Sequence, residues 1–200
     1  MASAEASTAR ELRRAVIVVA LSNLAYFFVE FAVARQIGSV SLIADSVDFL
    51  EDAAVNLLIL LALGWSARSR ARVGMALAAI LLVPALALIW TAWHKFNAPT
   101  APEPWLLSVT GAGALAVNLG CALLLTKFRH HRGSLTRAAF LSARNDAFAN
   151  VAIIGAGLIT LQWRTGWPDL IVGVGIALMN ADAAKAVWSA ARDEHRSAEP

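Results

Sequence analysis

A single cysteine, Cys121, stands among the 200 residues. It excludes an internal disulfide, and no Cys/His box with zinc-module spacing accompanies it. Set in an apolar run, Cys121 reads as a small buried hydrophobe. Charge is scarce too: 16% of residues are charged against 58% hydrophobic, and the mean hydropathy is +0.62. Such a balance belongs to membrane proteins. The net charge of +3 comes without a basic stripe or a recognition motif, which argues against nucleic acid as a partner. There is no phosphate-cradling glycine loop and no nucleophile beside a general base. Nothing therefore points to an enzyme, to a cofactor or to direct drive by ATP.

What is present is a series of long apolar runs. A bilayer core of ~30 Å asks for about 20 such residues in a helix. Six segments qualify, at roughly 12–34, 40–64, 71–94, 105–127, 136–162 and 168–189. Loop and turn residues separate them, as in Asn97-Ala98-Pro99-Thr100 and Arg164-Thr165-Gly166-Trp167. Pro168 suits the first turn of a helix, and Pro84 predicts a kink in the third span. The first run is longer than the about 7–15 apolar residues of a signal peptide, and it carries Asn23 and Glu30; we read it as a retained span. Residues 1–11 are expected to be a disordered tail, 12–190 a six-span transporter domain and 191–200 a short cytoplasmic tail.

Basic residues fall mostly on one side. Arg10, Arg13 and Arg14 precede the first span, Arg68, Arg70 and Arg72 follow the second, Lys127, Arg129, Arg132 and Arg137 follow the fourth, and Lys185, Arg192 and Arg196 lie near the end. The opposite loops hold Arg35, Lys95 and Arg164. The positive-inside rule then puts both termini in the cytoplasm, across the cell membrane. The seven tryptophans lie near span ends, as in an interfacial aromatic belt.

Within this apolar frame the polar residues fall in stripes. Asp45, Asp48 and Asp52 share one face of span 2, with Asn56 a turn further and Glu51 at the edge. Span 5 offers Ser142, Asp146 and Asn150 on one face, beside Arg144 and Asn145. Span 1 carries Asn23, Tyr26 and Glu30, and span 4 carries Asn118. Ionisable groups at membrane depth are costly and usually functional. The pattern predicts an all-α membrane protein of six transmembrane helices, with spans 1, 2, 4 and 5 as a bundle and spans 3 and 6 alongside. Asp48, Asp52 and Asp146 are the candidate ligands of a divalent metal cation, since hard oxygen donors suit such an ion. Asp45, Ser142, Asn145 and Asn150 are candidates to complete the shell. Asp45 lies nearer the outer end, and facing water at the mouth of the site is its other reading. Like charges this close cannot all stay ionised without a cation, so metal binding should release protons. Asn23, Tyr26 and Glu30 read as helix contacts behind the ligands. Arg144 reads as a counter-charge to Glu51 or to a carboxylate of the site. His130 and His131 read as solvated loop residues. The glycine steps at Gly111/Gly113 and Gly173/Gly175 allow close helix approach.

The run Gly38-Ser39-Val40-Ser41-Leu42 followed by Ala44-Asp45-Ser46-Val47-Asp48 and Asp52, with Asn145-Asp146-Ala147 and Ala149-Asn150-Val151 in span 5, resembles the cation diffusion facilitator family. The resemblance implies a six-span exporter of divalent metals such as zinc, cobalt, cadmium, iron or manganese, usually a homodimer, that exchanges the ion for protons. It implies a site built from two residues four apart on span 2, here Asp48 and Asp52, and two on span 5, here Ser142 and Asp146. Family members commonly carry His or Asp where this chain has Ser142, so harder ions than zinc also fit. The resemblance further implies a short form without the cytoplasmic metal-binding domain that often follows span 6. Two rival readings are a proton-coupled exporter of organic cations, which would need an aromatic-lined cavity, and a non-transporting membrane partner or metal sensor.

Overall fold

The computed structural model describes residues 2–62, 85–126 and 133–180. Among them are six helices and no strand. They are α1 (Ala2–Ile37), α2 (Val40–Ala62), α3 (residues 85–97), α4 (Pro104–Thr126), α5 (Gly133–Gln162) and α6 (Trp167–Asn180). Pro84, the His130-His131 loop and the basic C-terminal stretch lie outside the described residues, as do the side chains of Arg137, Ser142 and Arg144.

Helix α1 begins at Ala2 and runs through the stretch expected to be a disordered tail. The physical reason is local. Ala2, Ala4, Ala6 and Ala9 are strong helix formers, and adding turns to an existing helix avoids a second nucleation. The other boundaries follow hydropathy closely. Pro104 opens α4, and Pro168 sits in the first turn of α6, where a missing N–H costs nothing.

The α1–α2 joint is two residues long. Gly38 takes φ +65°, the left-handed conformation that glycine adopts without steric cost. Ser39 N–H then donates back to the Ala34 carbonyl at 3.0 Å, closing the end of α1 in a Schellman arrangement. Ser39 also starts α2, its hydroxyl accepting from Leu42 N–H at 3.1 Å, as an N-cap residue does. The joint folds α1 back along α2. Helix α4 packs on α1 and on α5, and α5 also touches α2.

The exterior is apolar. Phe28 is 63% exposed, Leu123 73% and Phe148 68%. The interior, by contrast, holds Asn23, Glu30, Asp45, Asn56, Asn118, Asn150 and Asp169, all buried. A water-soluble protein sorts these the other way. Among the described residues, Arg10–Ile37 and Pro104–Thr126 are long and apolar enough to cross a bilayer. α2 is of similar length but carries Asp45, Asp48, Glu51 and Asp52. This is a helical membrane protein with its polar groups turned inward, as backbone and side-chain satisfaction in lipid requires.

Candidate metal site and its polar surroundings

Three polar groupings lie along the inner face of α2. The first is at its N-terminus. Asp169 of α6, fully buried, accepts from Ser39 Oγ and Ser41 Oγ, each at 2.6 Å, and from Ser41 N–H at 3.2 Å, all through Oδ1. Its Oδ2 accepts from Val40 N–H at 2.9 Å and from Lys95 Nζ of α3 at 2.7 Å. One carboxylate thus receives five hydrogen bonds, sits on the positive end of α2 and pairs with a lysine that is itself buried. Gly173 makes the approach of α6 possible: a Cβ there would meet Ser41 N and the Val40 backbone carbon at 2.7 Å. Helical periodicity along the chain does not reveal this network. Its signals were the two serines flanking Val40, the acid just after Pro168, and a lysine near the end of an apolar helix.

The second grouping joins α1, α2, α4 and α5. Asn118 Nδ2 donates to Asn150 Oδ1 at 3.0 Å, and Asn150 Nδ2 donates to Asp45 Oδ2. Asn150 thus spends its amide on Asn118 and Asp45. Asp45 does not face water; it is fully buried. Its other oxygen, Oδ1, and both oxygens of Glu30 have no hydrogen-bond donor. Tyr26, a turn before Glu30, donates to the Thr110 carbonyl at 2.6 Å.

The third grouping holds the candidate ligands. Asp48 and Asp52 are half-buried on α2, and Asp146 is half-buried on α5. Asp146 lies near enough to Asp48 for their charges to interact, and Asn180 of α6 reaches the Asp48 carboxyl. Asp52 Oδ2 accepts from Asn23 Nδ2 at 3.5 Å, and Cys121 Sγ donates to Asn23 Oδ1 at 3.7 Å. Asn56 Nδ2 bonds the Asp52 carbonyl at 2.8 Å, within its own helix. Asn145 is exposed. Among the described residues, no three histidine, cysteine, aspartate or glutamate side chains are gathered tightly enough to hold one ion as they stand. Asp48 on α2 thus interacts electrostatically with Asp146 on α5, while Asp52 bonds Asn23 of α1.

The chain is thus a helical membrane protein with acids on α2 and α5 near enough for their charges to interact. The cation efflux transmembrane domain matches residues 16–193, and the chain belongs to that family. It is similar to the zinc transporter ZitB of Yersinia pestis, 26% identical over 186 residues, which is 84% of this chain and 58% of that protein. It is also similar to the zinc transporter ZitB of Escherichia coli K12, 29% identical over 170 residues, covering 78% of this chain and 53% of that one. The chain thus spans little more than half the length of these curated relatives.

Proposed function

We propose that this chain carries divalent metal cations out across the cell membrane by alternating access, in exchange for protons. The observation that carries the reading is the charge interaction between Asp48 on α2 and Asp146 on α5, inside a protein of the cation efflux family. Asp48, Asp52 and Asp146 hold the ion. Each is a hard oxygen donor, and a doubly charged cation offsets their mutual repulsion. Ser142, one turn before Asp146 on α5, completes the shell with water. Zinc is the first substrate to test because the relatives are named zinc transporters. Manganese and iron follow, because oxygen donors without imidazole favour harder ions.

In this reading α1, α2, α4 and α5 form the transmembrane bundle, α3 and α6 stand alongside, and both termini face the cytoplasm. The working unit is a homodimer. Transport needs no bond to be made or broken, only binding, proton release and a change in which side the site faces. An organic-cation exporter is less well supported. The Tyr26 and Phe49 rings meet each other in a tilted pair at 5.1 Å, and Phe49 is buried among Phe27, Leu50 and Ala114.

Purified protein in proteoliposomes tests this. Zinc, manganese or iron uptake is expected, lost in Asp52→Ala and in Asp146→Ala with the fold retained. Flux of an organic dye without metal flux would make the chain an organic-cation exporter. Absence of any flux would leave the partner or sensor reading.

A further inference from the structure

Two hydrogen bonds cross three helices just beyond the candidate ligands. Asn118 of α4 donates to Asn150 Oδ1 at 3.0 Å, and Asn150 of α5 donates through Nδ2 to Asp45 of α2. All three side chains are buried, Asn150 and Asp45 completely. An amide has one acceptor end and one donor end. Asn118 brings a donor to the Oδ1 end of Asn150, which leaves the Nδ2 end for Asp45. Asn118 therefore sets which way the Asn150 amide points.

The chain of bonds lies to one side of the ion ligands. Asp45 precedes Asp48 by three residues on α2, and Asn150 follows Asp146 by four on α5. Each stands about 4.5–6 Å along its helix from its acid. Both offsets lead toward the same end of the molecule. There Asp169 ties the start of α2 to Lys95 near the end of α3, and Gly166 N–H, just after α5, donates to the Pro99 carbonyl, just before α4, at 3.1 Å. This end is the outer side in the orientation proposed above. An ion held between Asp48 and Asp146 thus meets a buried, hydrogen-bonded crossing on its way out.

The crossing has one bond that can yield. Helices α4 and α5 pack closely: a Cβ on Gly111 would meet Ile153 Cγ2 at 2.9 Å, and one on Gly157 would meet the Pro104 carbonyl oxygen at 3.2 Å. Asn118 and Asn150 therefore travel together. The start of α2 is fastened instead to α3 and α6 through Asp169. When α2 and α5 part, the bond between Asn150 and Asp45 breaks and the bond between Asn118 and Asn150 survives.

We propose that Asn118 is a positioning residue, and that the chain Asn118–Asn150–Asp45 closes the outer side of the α2–α5 face and opens at Asp45 to let the ion leave. The link to ion release rests on the transport reading above; the closure does not.

Cys121, the single cysteine, is a built-in reporter. It follows Asn118 by three residues on α4, about 4.5 Å further from the outer end, and its Sγ donates to Asn23, which bonds Asp52. It therefore lies behind the closure, level with the ligands. A membrane-impermeant thiol reagent is applied to right-side-out and to inverted membrane vesicles, with Asn118→Ala as the main variant. Labelling of Cys121 from the outer side should rise about tenfold, as the loss of one buried hydrogen bond allows. Labelling from the inner side should not rise. Asn118→Ser, whose side chain is shorter than the amide it replaces, serves if the alanine variant does not fold.

An outer-side rate no higher than that of the wild type would overturn the proposal. So would a rise of similar size from both sides, which would make Asn118 a packing residue only. A rise confined to the inner side would put the closure at the cytoplasmic face and overturn it too. Metal flux absent from the wild type, beside the expected labelling, would defeat the transport reading and leave the closure standing.

Discussion

Asp169 and Glu30 are both fully buried acids, and their surroundings are opposite. Asp169 receives five hydrogen bonds, one of them from a lysine. Glu30 receives none. A carboxylate so completely paired has nothing left to bind, and it locks α2, α3 and α6 together at one end. A carboxyl without a donor keeps its capacity for a proton or an ion. Burial alone therefore does not mark a functional acid in this protein; the count of donors around it does.

Substitutions can break this contrast in order of size. Asp169→Ala should do most damage, because it strands the Lys95 ammonium and leaves Val40 and Ser41 N–H unbonded. A loss of about 3–5 kcal/mol is expected, read as a lower midpoint of thermal unfolding in detergent. Gly173→Ala comes next. Its methyl would press on the backbone of α2 at 2.7 Å, where no side chain can swing aside, and overpacking of this kind costs about 1–3 kcal/mol. Ser41→Ala removes one of two serine hydroxyls from Asp169 and should cost about 1 kcal/mol by the same assay. Glu30→Gln should leave stability unchanged or raise it, since it exchanges a donorless acid for an amide. A large destabilisation by Glu30→Gln, or none by Asp169→Ala, would erase the distinction between the two regions.

Much of the fold was legible because hydropathy in a membrane protein is read along the chain. α2 was expected from residue 40 and α4 from 105; they start at Val40 and Pro104. The stripes were legible for the same reason, since Asp45, Asp48 and Asp52 recur at helical spacing. Pairing between helices was not. Asp169 and Ser39 are 130 residues apart, and no periodicity on either helix announces the other. Asp45 was open to being an extra ligand or a group at the mouth of the site because its position along α2 says nothing of Glu30 or Asn150. The bond between Asp52 and Asn23 was not legible either, because it depends on the rotation of α1 against α2.

The two-residue joint at Gly38 and Ser39 makes α1 and α2 equal arms of a caliper. Glu30 lies eight residues before Gly38 and Asp45 seven after it, so the acids come to similar heights. One added residue on either arm would swing its acid about 100° around the helix and 1.5 Å along it, parting the jaws. The length of this connection is therefore under tighter constraint than its exposed apolar flanks, where one large hydrophobe can replace another facing lipid.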